Sequence, residues 1–337
     1  MEKNRLPEGY IDRPPVLADN QAVVDVLNAA ARHTLGIDQV TLEEQLIEFT
    51  APGRSLEDDF RVVQAPDGDL VGYIEVFGMQ APFTPLYCWG RVHPQHQRRG
   101  VGSYLVAWAE GRARQFLPNS DPAVRVPLWA FAQHVDAASQ RMLVRQGFQL
   151  LRHNLRMVIE LDGPPPEPVV PAGITLRTIV PGQEEYPAFI ASREAFEDHF
   201  GHVVRPPEEE YQGWSHRVLN SSDYDPGLWF VALDGEQIAG VSLCFKTTDT
   251  DPSFGWVGSL SVRRPWRKQG LGLALLQQSI AEFHRRGYRK VGLGVDAQNL
   301  TGAVRLYEKA GMHSDPRFQM MIFEKELRPG SNPYTAA

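Results

Sequence analysis

The sequence has only two cysteines, Cys88 and Cys244, in 337 residues. Both sit in apolar surroundings, which excludes a disulfide framework and reads each thiol as a small buried hydrophobe in a reducing compartment. Positive charge is also in short supply: 34 Lys and Arg face 41 Asp and Glu, a net charge of −7. That balance argues against a general nucleic-acid or acidic-membrane binder, while leaving room for a local basic patch on one anionic ligand. No apolar run is long enough to cross a bilayer, and the polar, proline-containing stretch from Met1 to Pro15 lacks the apolar core of a signal peptide. A cytoplasmic location is the expectation. The nucleotide P-loop pattern is missing. A dinucleotide-type turn fits poorly, because Gly270-Leu271-Gly272-Leu273-Ala274-Leu275 carries leucine at the third glycine position and comes late in its half.

What is present is a globular composition, 42% hydrophobic and 22% charged, in a chain long enough for two ordinary domains. Within it one pattern occurs twice. Val262-Arg263-Arg264-Pro265-Trp266-Arg267-Lys268-Gln269-Gly270-Leu271-Gly272 repeats the layout of Val92-His93-Pro94-Gln95-His96-Gln97-Arg98-Arg99-Gly100-Val101-Gly102, at a constant offset of 170 (262−92, 270−100, 272−102). Each copy follows a strand-like run and leads into an amphipathic helix. A Gly-x-Gly turn at a helix start gathers backbone N–H groups into a cradle for phosphate. A tight strand-to-helix turn would explain one copy equally well. Two copies between the same neighbours point to a duplicated domain built around an anion-binding turn.

The surroundings repeat too. Each half is expected to run from a short strand (near Tyr10–Arg13; Ile174–Arg177) through a helical region to a hairpin. The hairpins are Phe60–Gln64 with Val71–Phe77 and Leu228–Leu233 with Ile238–Phe245, turning at Asp67-Gly68 and Asp234-Gly235. A further strand, the glycine turn and a helix follow. Leu273, Leu276, Ile280 and Phe283 set the apolar face of the second helix, which ends at Arg285-Arg286-Gly287; Val101, Leu105 and Trp108 do so in the first. Then come a buried strand (Val126–Phe131; Lys290–Val295), a short helix ending at Gly147 or Gly311, and a final strand or pair. The fold class is mixed α/β (α+β), built twice. The proline-rich 163–171 reads as an extended linker, dividing a domain of residues 1–162 from one of 172–328, with 329–337 as a frayed tail.

The spacing Arg/Gln-x-x-Gly-x-Gly, met by Arg267, Gly270 and Gly272 and by Gln97, Gly100 and Gly102, resembles the coenzyme A signature of the GNAT superfamily of N-acetyltransferases. Asn299, Ala303, Leu306-Tyr307 and Gly311, directly after the strand Val291–Val295, are similar to that family's second motif. The resemblance implies two tandem GNAT folds, each a mostly antiparallel twisted sheet with a splayed parallel pair at the cofactor and helices on both faces. It implies acetyl-CoA as cofactor, with the backbone of Leu260, Ser261 and Val262 pairing with the pantetheine arm and an N–H near Val262 polarising the thioester carbonyl. N–H groups from Arg267 through Lys268, Gln269, Gly270, Leu271 and Gly272 to Leu273 would hold the pyrophosphate. Asn299, beside Ala303, would fix the pantetheine, and Tyr307 would give a proton to the departing thiolate. Periodicity alone makes Tyr307 a core aromatic, on one face with Ala303, Leu306 and Ala310.

The halves are unequal. Val92, Gln97, Arg98, Arg99, Gly100, Val101 and Gly102 keep the cradle, but counting back from Gly147 as from Gly311 (offset 164) puts Val135 for Asn299 and Leu143 for Tyr307. Catalysis is expected in the second half alone, the first being degenerate. A complete second half behind a degenerate first resembles the tandem-domain mycothiol synthases, which acetylate an amine of a thiol precursor. The strand position where those enzymes carry a substrate-facing glutamate is Trp256 here, which leaves the acceptor open.

For the base that takes the proton of the amine, the candidates are Glu197, Asp198, His199 and His202, just before the second hairpin, and Asp296, with Asp249 and Asp251 behind them. The cluster at 197–202 reads equally as a polar helix end, and Asp296 equally as a cap. No further ligand pattern makes the two histidines a metal site. The leading expectation is an N-acetyltransferase acting on a small primary amine by direct attack. The alternatives are a non-catalytic coenzyme A-binding or interaction protein and a peptide or protein N-acetyltransferase.

Overall fold

The computed structural model describes residues 5–298, 302–332 and 334. The chain divides into two compact units, Met1–His153 with Arg317–Pro333 and Asn154–Pro316 with Tyr334–Ala337. In the first half the elements are β1 (Ile11–Arg13), α1 (Asn20–Leu35), α2 (Leu42–Phe49), β2 (Phe60–Gln64), β3 (Leu70–Phe77), β4 (Leu86–Val92), α3 (Val101–Arg114), β5 (Val126–Gln133), α4 (Ala137–Arg145) and β6 (Gln149–Glu160). The second half carries β7 (Ile174–Thr178), α5 (Glu185–Ala195), α6 (Pro207–Leu219), β8 (Tyr224–Asp234), β9 (Gln237–Phe245), β10 (Phe254–Val262), α7 (Leu271–Arg285), β11 (Lys290–Asp296), α8 (Ala303–Lys309), β12 (His313–Ser314) and β13 (Met320–Arg328).

Both units solve the same packing problem. In the first, β2, β3 and β4 alternate side chains between two faces. Phe60, Val62 and Tyr73 meet Val23 and Leu27 of α1 and Phe49 of α2 on one face. Ile74, Val76 and Cys88 meet Leu105 and Ala109 of α3 on the other. In the second, Trp229, Val231, Val241 and Leu243 pack beneath α5, while Leu228, Cys244 and Val257 pack on Leu276, Ile280 and Phe283 of α7. Phe283 is completely buried, so truncating it would cost about 3–5 kcal/mol. Both cysteines are free, buried thiols, their pKa values pushed up to about 12 (Cys88) and about 11 (Cys244) by loss of solvent.

The expected boundary after residue 162 is not where the units divide, because two strands belong to the other half's unit. β13 pairs antiparallel with β5 from Met320↔Gln133 to Arg328↔Val126 in the first unit. The far end of β6 pairs with β11 from Asn154↔Asp296 to Glu160↔Lys290 in the second. Charge fixes the first exchange: Glu324 accepts hydrogen bonds from Arg125 and from the indole N–H of Trp129 (2.9 Å), and Glu326 pairs with Arg125 at 2.7 Å. The tail is also not frayed where it is described. Arg125 N–H donates to the Ser331 carbonyl (2.9 Å), Ser331 N–H to that of Ala123 (2.8 Å), and Tyr334 is buried against Phe200. Strand pattern marks residues as extended but names no partner, which is why the sequence reading missed both features.

Candidate active site

Both glycine turns have one backbone shape. A short 3₁₀ turn (Pro94–His96; Arg264–Trp266) leads to a left-handed residue, Arg98 at φ 59° or Lys268 at φ 62°. Glycine follows in the left-handed region, Gly100 at φ 95° and Gly270 at φ 86°, and the helix starts at the next residue. A β-carbon is strained in that conformation, so glycine is the residue for the position. The first intrahelical-type bonds are Tyr104 N–H to Gly100 O and Ala274 N–H to Gly270 O. Six successive N–H groups before each of them, 98–103 and 268–273, have no acceptor among the described residues. Such a row at the positive end of a helix is an anion site worth about 0.3–1 kcal/mol per charge when exposed, more when shielded.

The strand entering each turn separates from its parallel neighbour. β10 pairs with β11 only from Phe254↔Lys290 to Val257↔Leu293, and β4 with β5 only from Leu86↔Leu128 to Cys88↔Ala130. Past those points each pair splays, leaving an unpaired strand edge at Leu260, Ser261 and Val262. β10 also bulges. Val257 pairs with Cys244 and Ser259 with Leu243, so Gly258 is an extra residue without a partner on β9. A β-carbon at Gly258 would lie 2.3 Å from the Phe245 ring, so the bulge depends on glycine. β4 has no bulge against β3.

Tyr307 stands on α8, which packs against the first turn of α7: a β-carbon on Gly272 would be 3.1 Å from Leu306. Its ring belongs to the core cluster and is 8% exposed, while its hydroxyl has no partner among the described residues. Burial pushes its pKa up to about 12, so the phenol holds its proton at neutral pH. In the first half Met142 approaches Gly102 as Leu306 approaches Gly272, and Leu143 is 3% exposed in the core. The offset counted from the sequence is thus the spatial one. Asn299 lies outside the described residues. Ala303 packs half-buried beside Tyr307, Leu271 and Leu273 pack under the turn, and Lys268 and Gln269 are exposed.

Arg267 proves to be a strut. Its guanidinium donates to the Val262 carbonyl (3.0 Å), the Ala195 carbonyl (2.7 Å) and both oxygens of Asp198 (2.5 and 3.2 Å), tying the turn to the end of α5. That pairing holds the Asp198 carboxyl below its ordinary pKa, which makes it a poor proton acceptor. His199 sits beside it, stacked edge-on against Phe196 at 4.5 Å, within the fields of Asp198, Arg267 and Asp296. Desolvation lowers its pKa below 6.5, so the imidazole is neutral at pH 7. Asp296 caps the loop after β11, accepting the Gln298 N–H at 2.9 Å. His202 faces Arg193, Glu210, Glu197 and Arg205 instead, with its pKa lowered chiefly by desolvation. The structure brings Arg267, Asp198, His199 and Asp296 together; His202 faces the charges of Glu197 and Glu210 but also adjoins His199, whose carbonyl accepts its N–H (3.2 Å) and whose pKa its field lowers. Asp249 is tied to Arg156 of β6 in an ion pair.

Two features escaped the sequence reading. In the second unit the sheet face carrying Trp256 is floored by glycine: Gly292, beside it in register, and exposed Gly294. Arg156 lies over the Trp256 ring at 5.2 Å. In the first unit the corresponding positions of β5 are Trp129 and Phe131. They join Tyr87 (Trp129 edge-on at 5.5 Å, Phe131 stacked at 6.4 Å), and Tyr87 stacks on Phe77 at 5.1 Å, which fills that face. The alternation Gly292-x-Gly294 within a strand was the available signal. The other feature is a cavity of about 570 Å³ in the first unit, lined by Cys88–Val92, the turn residues Gln97, Arg98, Gly100 and Gly102, and α4.

The acetyltransferase (GNAT) family model matches residues 23–148 and 191–312. The mycothiol acetyltransferase of Salinispora arenicola (strain CNS-205) is 31% identical over 310 residues, 88% of this chain and 90% of that protein. That of Thermobispora bispora is 30% identical over 302 residues, 87% and 92% of the two chains. Among solved structures, a GCN5-related N-acetyltransferase from Sphaerobacter thermophilus matches with a TM-score of 0.78 at 34% identity, over 97% of this chain and 99% of that one. A tandem GNAT protein from the clavulanic acid biosynthesis pathway shares the fold at a TM-score of 0.68 and 18% identity, over 96% and 100% of the chains. Among the described residues no helix is long and apolar enough to cross a membrane. With the family matched twice, each time over a glycine turn and a splayed strand pair, this chain belongs to the GNAT acetyltransferase family as a tandem-domain member and is an acyltransferase.

Proposed function

We propose that the second half transfers the acetyl group of acetyl-CoA to the primary amine of a small molecule, in the cytoplasm, by direct attack. The observation that carries this reading is the coincidence, in that half alone, of the β10 bulge, the splayed edge, the six free N–H groups and a tyrosine that keeps its proton. The residues fit the cofactor. N–H groups 268–273 would meet its pyrophosphate and the open edge at Leu260, Ser261 and Val262 its pantetheine arm, with Asn299, which follows β11 in the sequence, assigned to that arm by the family motif. Acetyl-CoA, when bound, supplies an acyl group activated as a thioester.

The bulged β10 backbone polarises the carbonyl under attack. Neutral His199 takes the proton of the amine, directly or through water, and Tyr307 gives its proton to the leaving thiolate. Asp198 and Arg267 serve as mutual supports and hold the turn in shape. The glycine floor beside Trp256 admits the acceptor. A small-molecule acceptor agrees with the relatives named mycothiol acetyltransferase, and Trp256 leaves its identity to be found by assay. The first turn, with an equivalent N–H row and a cavity behind it, is read as a second coenzyme A cradle without chemistry.

Release of thiol from acetyl-CoA across a panel of small amines and peptides tests the reading. Acceptor-dependent release with a small amine is the expected result, and Tyr307→Phe should cut turnover by roughly ten- to a thousandfold with acetyl-CoA binding retained. Saturable binding without release for any acceptor would make the protein a coenzyme A sensor. Release with peptides alone would make it a peptide acetyltransferase.

A further inference from the structure

The cavity of the first unit is lined by a cation, Arg91, that makes no ion-pair contact with a carboxylate among the described residues. Arg91, on β4, lines it just past the last parallel pair, Cys88↔Ala130, where the two strands have parted. The guanidinium donates to the Gly90 carbonyl (2.9 Å) and lies 4.9 Å from the centre of the Trp89 ring, and among the described residues no carboxylate forms an ion pair with it. Desolvation draws its pKa below the ordinary arginine value, against the opposing field of Asp136. Asp136 is the acidic residue among those lining the cavity, and it is engaged elsewhere. Its oxygens cap α4, accepting the Ser139 N–H (3.0 Å) and hydroxyl (2.5 Å). Arg98, Arg141 and Arg145 line the same space.

The second half has no such charge. Counting by the 170-residue offset, Ser261 occupies the place of Arg91, and its buried hydroxyl has no partner among the described residues. The two sites therefore differ at one point on the strand edge beside the thioester end of a coenzyme A arm. One is neutral there; the other presents an unpaired guanidinium. A half-buried guanidinium with no ion-pair partner is stabilised by an anion that it can meet in two-point geometry.

We propose that the first-half cavity binds a coenzyme A thioester whose acyl group ends in a carboxylate, with Arg91 pairing that carboxylate. The inference rests on the reading of the first turn as a coenzyme A cradle. With Leu143 in place of a tyrosine and no bulge in β4, the ligand is held there and not turned over. The pyrophosphate meets the N–H row 98–103, the arm follows β4, and the acyl carboxylate ends at Arg91. A half that has lost its catalytic acid thus keeps a ligand of its own, distinct from the neutral acyl group proposed for the second site.

The test is calorimetric titration of succinyl-CoA and acetyl-CoA into full-length protein carrying Lys268→Glu and Gln269→Glu, exposed substitutions that set negative charge at the second cradle. The expected result is one site that prefers succinyl-CoA roughly tenfold. Arg91→Met should bring the two thioesters within about twofold, and Arg91→Lys should keep part of the preference. Equal affinities in the protein that retains Arg91 would overturn the inference while leaving the cradle intact. A preference that survives Arg91→Met would overturn it as well. Failure of that protein to bind either thioester would overturn both the inference and the coenzyme A reading of the first turn. Because the two-thioester comparison is made with Arg91 present, the test does not depend on how the Arg91 variants fold.

Discussion

Residues 97–102 and 267–272 trace the same backbone, down to a left-handed arginine in one and a left-handed lysine in the other. Around them the two halves diverge at four places: a bulge at Gly258 that β4 lacks, a tyrosine where the first half has Leu143, glycines where it has Trp129 and Phe131, and Ser261 where it has Arg91. A phosphate-binding turn is made by backbone, so it tolerates side-chain drift. A catalytic centre needs particular side chains and particular empty space, and each can be lost by one substitution. The comparison teaches that the cradle and the chemistry are separable parts of this fold.

The sharpest way to break the contrast is to give the second half the first half's floor. Gly294 is exposed, it is not in the left-handed region, and a β-carbon there would meet only the edge of Trp256 at 3.8 Å. Gly294→Phe is therefore compatible with the strand and fills the space proposed for the acceptor. We expect acceptor kcat/KM to fall by about a hundredfold, with acetyl-CoA affinity changed by less than about threefold. Equal losses in both would mean that the floor belongs to the cofactor.

A smaller effect separates His199 from its neighbours. Its pKa lies below the ordinary imidazole value because burial disfavours the cation, so the neutral, proton-accepting form persists to lower pH than for a solvent-exposed histidine. Activity should hold at pH 7 and fall as the pH drops below 6.5, as the imidazole becomes charged. His199→Gln should lower kcat/KM about tenfold at pH 7 and abolish that acid limb. A pH profile unchanged by the substitution would move the proton elsewhere, and Asp198, held ionised by Arg267, is not the substitute.

How much of this was legible beforehand follows from which parts are local. The turns were readable because glycine spacing, strand and helix lie within a dozen residues, and the hairpins announced themselves through Asp67-Gly68 and Asp234-Gly235. Tyr307 was picked out through its motif; the structure places its ring in the core, as periodicity expected, with a hydroxyl unpartnered among the described residues, which agrees with the acid role proposed for it. The exchange of β6 and β13 was invisible, because pairing is decided between residues about 130 to 200 positions apart, as Asn154 with Asp296 and Arg125 with Glu324. Arg91 was passed over for the same reason: as a lone arginine in a strand it resembles an edge cation, and only the assembled cavity shows that Asp136, the acid lining it, caps α4 without forming an ion pair with Arg91. The base candidates at 197–202 were adjacent in sequence, but telling them apart depends on Arg267, which reaches Asp198 from a distant turn.

The smallest expected effect is also the most direct check on separability. Leu143→Tyr gives the first half the residue type proposed as the acid of the second, at a position whose surroundings match: Met142 lies against Gly102 as Leu306 lies against Gly272. If the acid were all that the first half lacked, the substitution would create a second active site. It would then add measurable turnover in a Tyr307→Phe background. The structure says otherwise, since β4 has no bulge to polarise a carbonyl and Tyr87, Trp129 and Phe131 fill the face an acceptor would need. Turnover in the double variant should therefore stay within about twofold of Tyr307→Phe alone. The added hydroxyl, at a site now only 3% exposed, should cost about 1–3 kcal/mol of stability, read as a lowered unfolding midpoint. Recovered activity would show that the proton donor is the sole missing part, and that bulge and glycine floor are dispensable.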